Sequence, residues 1–357
     1  MFQFCILFSL HTSQGAAPSR GTKSLLIINY TMGAVRGCGL NITPSATVQV
    51  MEASNQTSSG RFILLGMANS LYLQVICFIV FLMMYIITLS GNVLLIIVVL
   101  INSKLHTSMY FFLSNLSMID ICFSSTIVPK ILENILSKDR SISLVGCALQ
   151  MYFHMSLGAT ECVILAVMAY DRFAAICRPL HYQTIINKKI CVCLASISWV
   201  VGFANGIIHT PLTFQLPFCK SHYVNHFFCE MPPFFQLSCK DTHLNEIVMY
   251  VAALIIILCA FCLTLISYVH IIYTICKIQS SEGREKAFST CSSHLTVVSV
   301  YYGTIIFMYM KPRSVYSPEI GKTMSIIYTA VTPMLNPIIY GMKNKDVKDT
   351  IKIKLSR

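Results

Sequence analysis

Apolar residues in this chain neither alternate nor recur once per turn; they run on, in windows at 72–100, 109–131, 146–170, 190–210, 245–272, 288–310 and 322–341. Each window holds almost no charge and is about long enough to cross an apolar slab ~30 Å thick as a helix. Lipid offers backbone N–H and C=O groups no partners, and the runs are too long and too uniform for alternating barrel strands. The pattern therefore predicts an all-α integral membrane protein, a bundle of seven transmembrane helices at 72–342. After it, the stretch from Lys343 to Leu355 alternates basic residues with Val347, Ile351, Ile353 and Leu355. That predicts a cytoplasmic tail, 343–357, carrying a short interfacial eighth helix. Ahead of the bundle, 51–71 reads as an extracellular amino terminus. Residues 1–50 read as an upstream extension without a function of their own; the alternative is a cleaved signal at Phe2 to Leu10, which no Lys or Arg precedes.

Composition agrees. The chain is 55% apolar and only 11% charged, against roughly 25% charged in a soluble domain. Its formal charge of +12 is unevenly spread. Segments after the odd-numbered spans carry fourteen Lys and Arg, and the three opposite loops carry seven, so the positive-inside rule puts the carboxyl terminus in the cytoplasm and the amino terminus outside. A basic rim facing anionic lipid accounts for the net charge without nucleic acid.

The polar residues inside the apolar windows carry the chemistry. Asp120 and Glu161 stand in the second and third spans, where an unpaired carboxylate costs a few kcal/mol. Asn92 and Asn336 fall at similar depth, so a sodium ion among the four, or protonated acids in a hydrogen-bonded core, are the two solutions. Asp171 and Arg172 are adjacent where the third span meets water; the acid can hold the guanidinium until something competes for it. Pro333 and Pro337 weaken the helix ladder of the last span and permit a kink.

Of the 16 cysteines, Cys147, Cys219, Cys229 and Cys239 fall on the oxidising side, and four cysteines allow three pairings. The spacing Cys219-x2-His222-x3-His226-x2-Cys229 is that of a zinc ligand set, but oxidised cysteines cannot ligate, so no metal is expected beyond sodium. Asn55 opens a glycosylation triplet on the outer side; Asn29 and Asn41 do so in the upstream extension, and Asn115 lies within a span. There is no G-x-S-x-G, phosphate-binding glycine loop or H-E-x-x-H, so neither an enzyme nor a catalytic residue is expected.

The strings MAYDRFAAICRPLHY at 168–182, LSGN at 89–92, KAFSTCSSHLTVV at 286–298 and PMLNPIIY at 333–340 are similar to those of the odorant receptors of the rhodopsin-like G-protein-coupled class. The resemblance runs from about Met51 to Val347. Two departures are Phe173, where the family usually has Tyr, and Ser108, where it commonly has Pro; the second predicts a less rigid first inner loop. The resemblance implies disulfides Cys147–Cys229 and Cys219–Cys239. It implies a switch and G-protein crevice formed with Asp171, Arg172, Tyr268, Tyr302, Asn336, Pro337 and Tyr340, and it supports the sodium ion.

The resemblance also gives the third span a ligand-binding role. Counting turns outward from Glu161 puts Ala159, Gly158, Met155 and His154 towards a cavity between the outer halves of the spans. Tyr302, Ile305, Ile306 and Tyr309 share a stripe on the sixth span, as do Ile326 and Thr329 on the seventh. A lining of this kind suits a small, mostly apolar ligand with one polar group. The function so implied is that of a plasma-membrane odorant receptor that binds volatile ligands and raises cyclic AMP through a stimulatory, olfactory-type G protein. A metabolite receptor of the same fold outside olfactory tissue is the nearest alternative. A transporter or channel is more distant, because neither repeat symmetry nor a pore-lining polar stripe is visible.

Overall fold

The computed structural model describes residues 60–66, 70–309 and 318–343 together with 347, 348 and 350, without the side chains of 286, 290, 309, 318, 342 and 343. Asn29, Asn41, Asn55, the 1–50 extension and most of the tail, Ile351, Ile353 and Leu355 included, lie outside the described residues.

The chain forms α1 (Leu71–Ile101), α2 (Ser108–Leu136), α3 (Leu144–Cys177), α4 (Lys188–Phe214), α5 (His243–Lys277), α6 (Ser281–Tyr309) and α7 (318–343). Among the described residues, α1 to α6 are long and apolar enough to cross a membrane by length and composition. The last helix, α7, is built from Pro318–Ile326, a π turn at Ile327–Val331, and Thr332–Lys343, which contains Pro337. A second π turn, Leu254–Leu258, interrupts α5. Helix starts follow the sequence: Ser70, Ser143 and Asn187 each accept a hydrogen bond from a first-turn N–H.

At the heart of the bundle is α3, which packs against α2, α4, α5 and α6. Its closest neighbour is α4, because Gly202 and Gly206 present no side chain there. A Cβ on Gly202 would overlap Thr160 Oγ1, and one on Gly206 would overlap Ser156 Oγ. This is the small-residue packing by which helices associate without a hydrophobic driving force between them. Trp199 Nε1 donates to Asn115 Oδ1 at 3.1 Å, tying α4 to α2 and engaging the amide of a triplet that a bilayer would bury. Between α1 and α7, Gly91 lies under Pro337, whose Cγ would be 2.9 Å from any added Cβ.

One end of the bundle carries a small sheet that helix periodicity does not predict. Its strands are β1 (Arg61–Leu64), β2 (Ser141–Ser143) and β3 (Tyr223–Val224), in the order β2-β1-β3. β1 pairs antiparallel with β2 through Phe62 and Ile142, and parallel with β3 through Leu64 and Val224. The segment preceding α1 is thereby tied to the same loops that hold the disulfides Cys147–Cys229 and Cys219–Cys239. At the opposite end, Thr350 of the tail bonds Asn102 at 2.7 Å and Val347 is buried.

Candidate functional site: a latch, a polar core and a lidded cavity

At the end of the bundle away from the sheet, Asp171 is fully buried and fully engaged. One oxygen, Oδ2, pairs with Arg172, whose Nε donates at 3.1 Å and whose Nη2 approaches closer still. The other, Oδ1, accepts from Ser108 Oγ at 2.6 Å and from the Tyr182 hydroxyl at 2.8 Å. Burial, with Asp171 beside it, pushes the Tyr182 hydroxyl up to about 12, so it stays a donor at any physiological pH. Ser108, expected to loosen the loop, instead fastens the start of α2 to the latch. Nearby, the Tyr268 hydroxyl lies 2.6 Å from His294 Nδ1, and the two rings stack. The Tyr340 hydroxyl is buried without a partner among the described residues.

Halfway up, Asn336 Nδ2 donates to both oxygens of Asp120, at 3.1 and 3.0 Å. Asn92 Nδ2 donates to the carbonyls of Thr88 and Pro333, at 3.0 and 3.1 Å. All four polar residues of this layer are buried, and one oxygen of each of Asn92, Asn336 and Glu161 has no hydrogen-bond partner among the described residues. The orphaned oxygens of Asn92, Asn336 and Glu161, with the Asp120 carboxyl that Asn336 holds, are all oxygen donors, the kind a hard cation takes. Lys130, at the other end of α2, is buried too, but it is held by Glu133 at 3.0 Å.

Between this layer and the sheet lies a cavity of about 70 Å³. Of the ten ligand candidates, His154, Met155, Gly158, Ala159 and Ile305 line it. Tyr302, Ile306, Ile326 and Thr329 stand outside the lining, and the side chain of Tyr309 lies outside the described residues. Tyr302 turns its hydroxyl to the carbonyl of Cys162 at 2.8 Å; its neighbour Tyr301 faces the cavity and donates to the Gly158 carbonyl at 2.6 Å. Thr329 Oγ1 bonds its own helix at Ser325 O. Two walls are not among those that helical spacing suggests. One is α5, through Met249, Ala252, Ala253 and Ile256; the other is α4, through Asn205 and His209. The α4 pair does carry a signal: an amide and an imidazole four residues apart, in a span whose other polar residues are hydroxyls.

A lid closes the cavity from the sheet end. The Cys147–Cys229 bridge draws the long loop over α3, where Cys229 N donates to Gln150 Oε1 at 2.9 Å. The next residue, Glu230, is fully buried and accepts from two α7 hydroxyls, Ser325 at 3.1 Å and Tyr328 at 2.8 Å. Tyr328 in turn lines the cavity against Phe123 and His154, while Phe228 of the loop packs on His154. His226 Nε2 lies 3.5 Å from Glu230, yet burial, with Lys322 and His154 adding to it, pulls its imidazole down to about 3. It is therefore neutral at pH 7. Both cysteines of the zinc-like spacing are in disulfides, and among the described residues no three His, Cys, Asp or Glu side chains gather as a metal site would need.

A sequence profile described as olfactory receptor matches residues 81–357. Mouse (Mus musculus) olfactory receptor 5AP2 is 48% identical over 302 residues, which is 85% of this chain and 95% of that protein. Human (Homo sapiens) olfactory receptor 2G3 is 46% identical over 306 residues, 86% of this chain and 99% of its own. Human olfactory receptor 2T10 is 47% identical over 307 residues, covering 86% and 98% respectively.

Proposed function

This chain belongs to the olfactory receptor family, and from that premise we propose that its lidded cavity receives volatile, mostly apolar odorants and that opening of its latch lets it activate a stimulatory, olfactory-type G protein, raising cyclic AMP. The observation that carries this reading is that one helix, α3, both lines the cavity and ends in the latch. From Glu161 to Asp171 is ten residues, about 15 Å of helix. A ligand that binds one arrangement of α3, α6 and α7 better than the other shifts their equilibrium by that difference in affinity. In the active arrangement Arg172 leaves Asp171, and a crevice opens that Arg172, Tyr268 and Tyr340 border. Tyr302, bonded to Cys162 of α3, is the hinge contact between cavity and latch on α6.

The chain is a multi-pass membrane protein of a receptor class, and we place it in the plasma membrane with the sheet outside and the latch in the cytoplasm. Two disulfides at the sheet end support that orientation, since disulfides persist on the oxidising side. Receptor action needs no catalytic residue.

The polar core fits a sodium ion, held by Asp120 and Glu161 with Asn92 and Asn336 offering their orphaned oxygens. A sodium ion held by these residues would supply positive charge to a layer with two buried carboxyl groups and so favour the resting arrangement. Replacing sodium by a bulky organic cation then shifts agonist potency, and an unchanged dose curve counts against the ion.

The function is tested by expressing the full chain, and a version starting at Met51, and reading cyclic AMP against a panel of volatile compounds. Activation by some member of the panel, lost in Arg172→Ala at equal surface abundance, is the expected result. No response from a receptor shown to be on the surface would overturn the reading.

A further inference from the structure

Resting on the odorant-receptor reading, we infer that the cavity selects neutral alcohols and phenols, whose hydroxyl docks on α4 between Asn205 and His209. Several polar atoms of the lining are already used within the protein. Tyr301 gives its hydroxyl hydrogen to Gly158 O, and Tyr328 gives its own to Glu230. Asn205 gives its amide N–H to the Met155 carbonyl at 3.2 Å, which fixes the amide's orientation and leaves Oδ1 open. His209 is also buried, and the hydrogen bond it receives from Thr213 Oγ1 goes to its backbone carbonyl, leaving the ring without a hydrogen bond among the described residues. The two are four residues apart, on one face of α4, and both line the cavity.

An amide oxygen can only accept. A neutral imidazole carries one N–H to donate and one nitrogen to accept. The group that satisfies both at once gives a hydrogen to Asn205 Oδ1 and takes one from His209, and a hydroxyl does both with a single oxygen. A ketone, ester or ether can take the His209 hydrogen but leaves the Asn205 oxygen unmet and now cut off from water, which is the costlier failure. A carboxylate is worse still, because no Lys or Arg lines the cavity to compensate its charge. The α5 wall, through Met249, Ala252 and Ile256, offers only apolar contact to the rest of the ligand. Met155 and Met249 are flexible fillers, so a cavity of about 70 Å³ can enlarge around a bigger skeleton.

The test is a cyclic AMP dose response on the full chain with skeleton-matched sets: an alcohol or phenol, its methyl ether, the corresponding ketone and the corresponding acid. Surface labelling is run on every variant. The alcohol should be at least about tenfold more potent than its ether, the worth of one buried hydrogen bond. In Asn205→Leu that gap should close, the alcohol falling to the level of the ether. In His209→Phe, which keeps a ring and breaks no hydrogen bond within the protein, alcohol and ether should weaken together and the ratio survive. Ethers, ketones or acids matching the alcohols on the parent, or a gap that persists in Asn205→Leu at normal surface abundance, would overturn the inference while leaving the receptor function standing. Silence towards every compound at normal surface abundance would sink both.

Discussion

The two ends of α3 are built on opposite principles. Towards the sheet, the cavity keeps polar atoms open: on neighbouring α4, Asn205 Oδ1 and the His209 ring make no hydrogen bond among the described residues. Towards the tail, the Asp171 carboxylate is saturated by Arg172, Ser108 and Tyr182. The first end gains by having something added; the second resists having anything removed. Hydrogen bonds to a charged group are worth about 1.5–3 kcal/mol each, so the latch holds firmly at rest. Burying roughly 150 Å² of apolar ligand at about 25 cal/mol/Å² offers about 4 kcal/mol, of which only the part that differs between the two arrangements works on the latch. A strong latch and a weak volatile ligand are compatible only if the ligand's contacts are mostly lost when the bundle returns to rest.

That contrast can be broken at several points. The largest effect is expected at the lid: Cys229→Ser frees the loop from α3, at a typical cost of about 2–5 kcal/mol for a native bridge, and surface labelling should fall steeply. Full surface abundance with unchanged potency would mean the bridge does not shape the cavity. At the latch, Ser108→Ala removes one donor from Asp171 and should raise basal cyclic AMP by about tenfold, as the loss of one charge-assisted bond implies. Constant basal output at matched abundance would show that Ser108 adds nothing to the restraint.

Acid probes the lid without mutation. His226 is held near 3 in the folded protein against about 6.5 unfolded, so the unfolded loop binds more protons below pH 6.5. Stability carried by the neutral imidazole is whole above pH 6.5 and is lost as pH falls from there towards 3; at pH 5 the loss is about 2 kcal/mol. Hydrogen exchange in the loop should accelerate over that window in the parent and not in His226→Phe. The smallest effect is expected for Glu230→Gln, which keeps an acceptor for Tyr328 but removes the charge: potency should drop by about threefold with surface level intact. A loss of surface level instead would mark Glu230 as a folding residue.

How much of the molecule is legible in its sequence depends on the kind of signal. Charges in apolar windows are conspicuous, so Asp120, Glu161 and the Asp171–Arg172 pair stand out from composition and position alone. Facing direction is harder to read. One residue along a helix is a rotation of about 100°, and α6 is apolar on several sides, which is why Tyr301 and not Tyr302 borders the cavity. In α7 the π turn at Ile327–Val331 shifts the helical phase, so regular spacing points to Ile326 and Thr329 while Tyr328 takes the place. Glu230 sits in a loop with no period at all, and its partners are about 95 residues away in sequence. The sheet has the same origin: four-, three- and two-residue strands leave too short a pattern to read.

On the function proposed above, a stimulus at one end of α3 frees a guanidinium at the other, and Arg172→Ala addresses that directly. With an activating alcohol in hand, the variant should reach the surface like the parent and bind the alcohol, yet give no rise in cyclic AMP. A full agonist response from Arg172→Ala at matched surface abundance would contradict it.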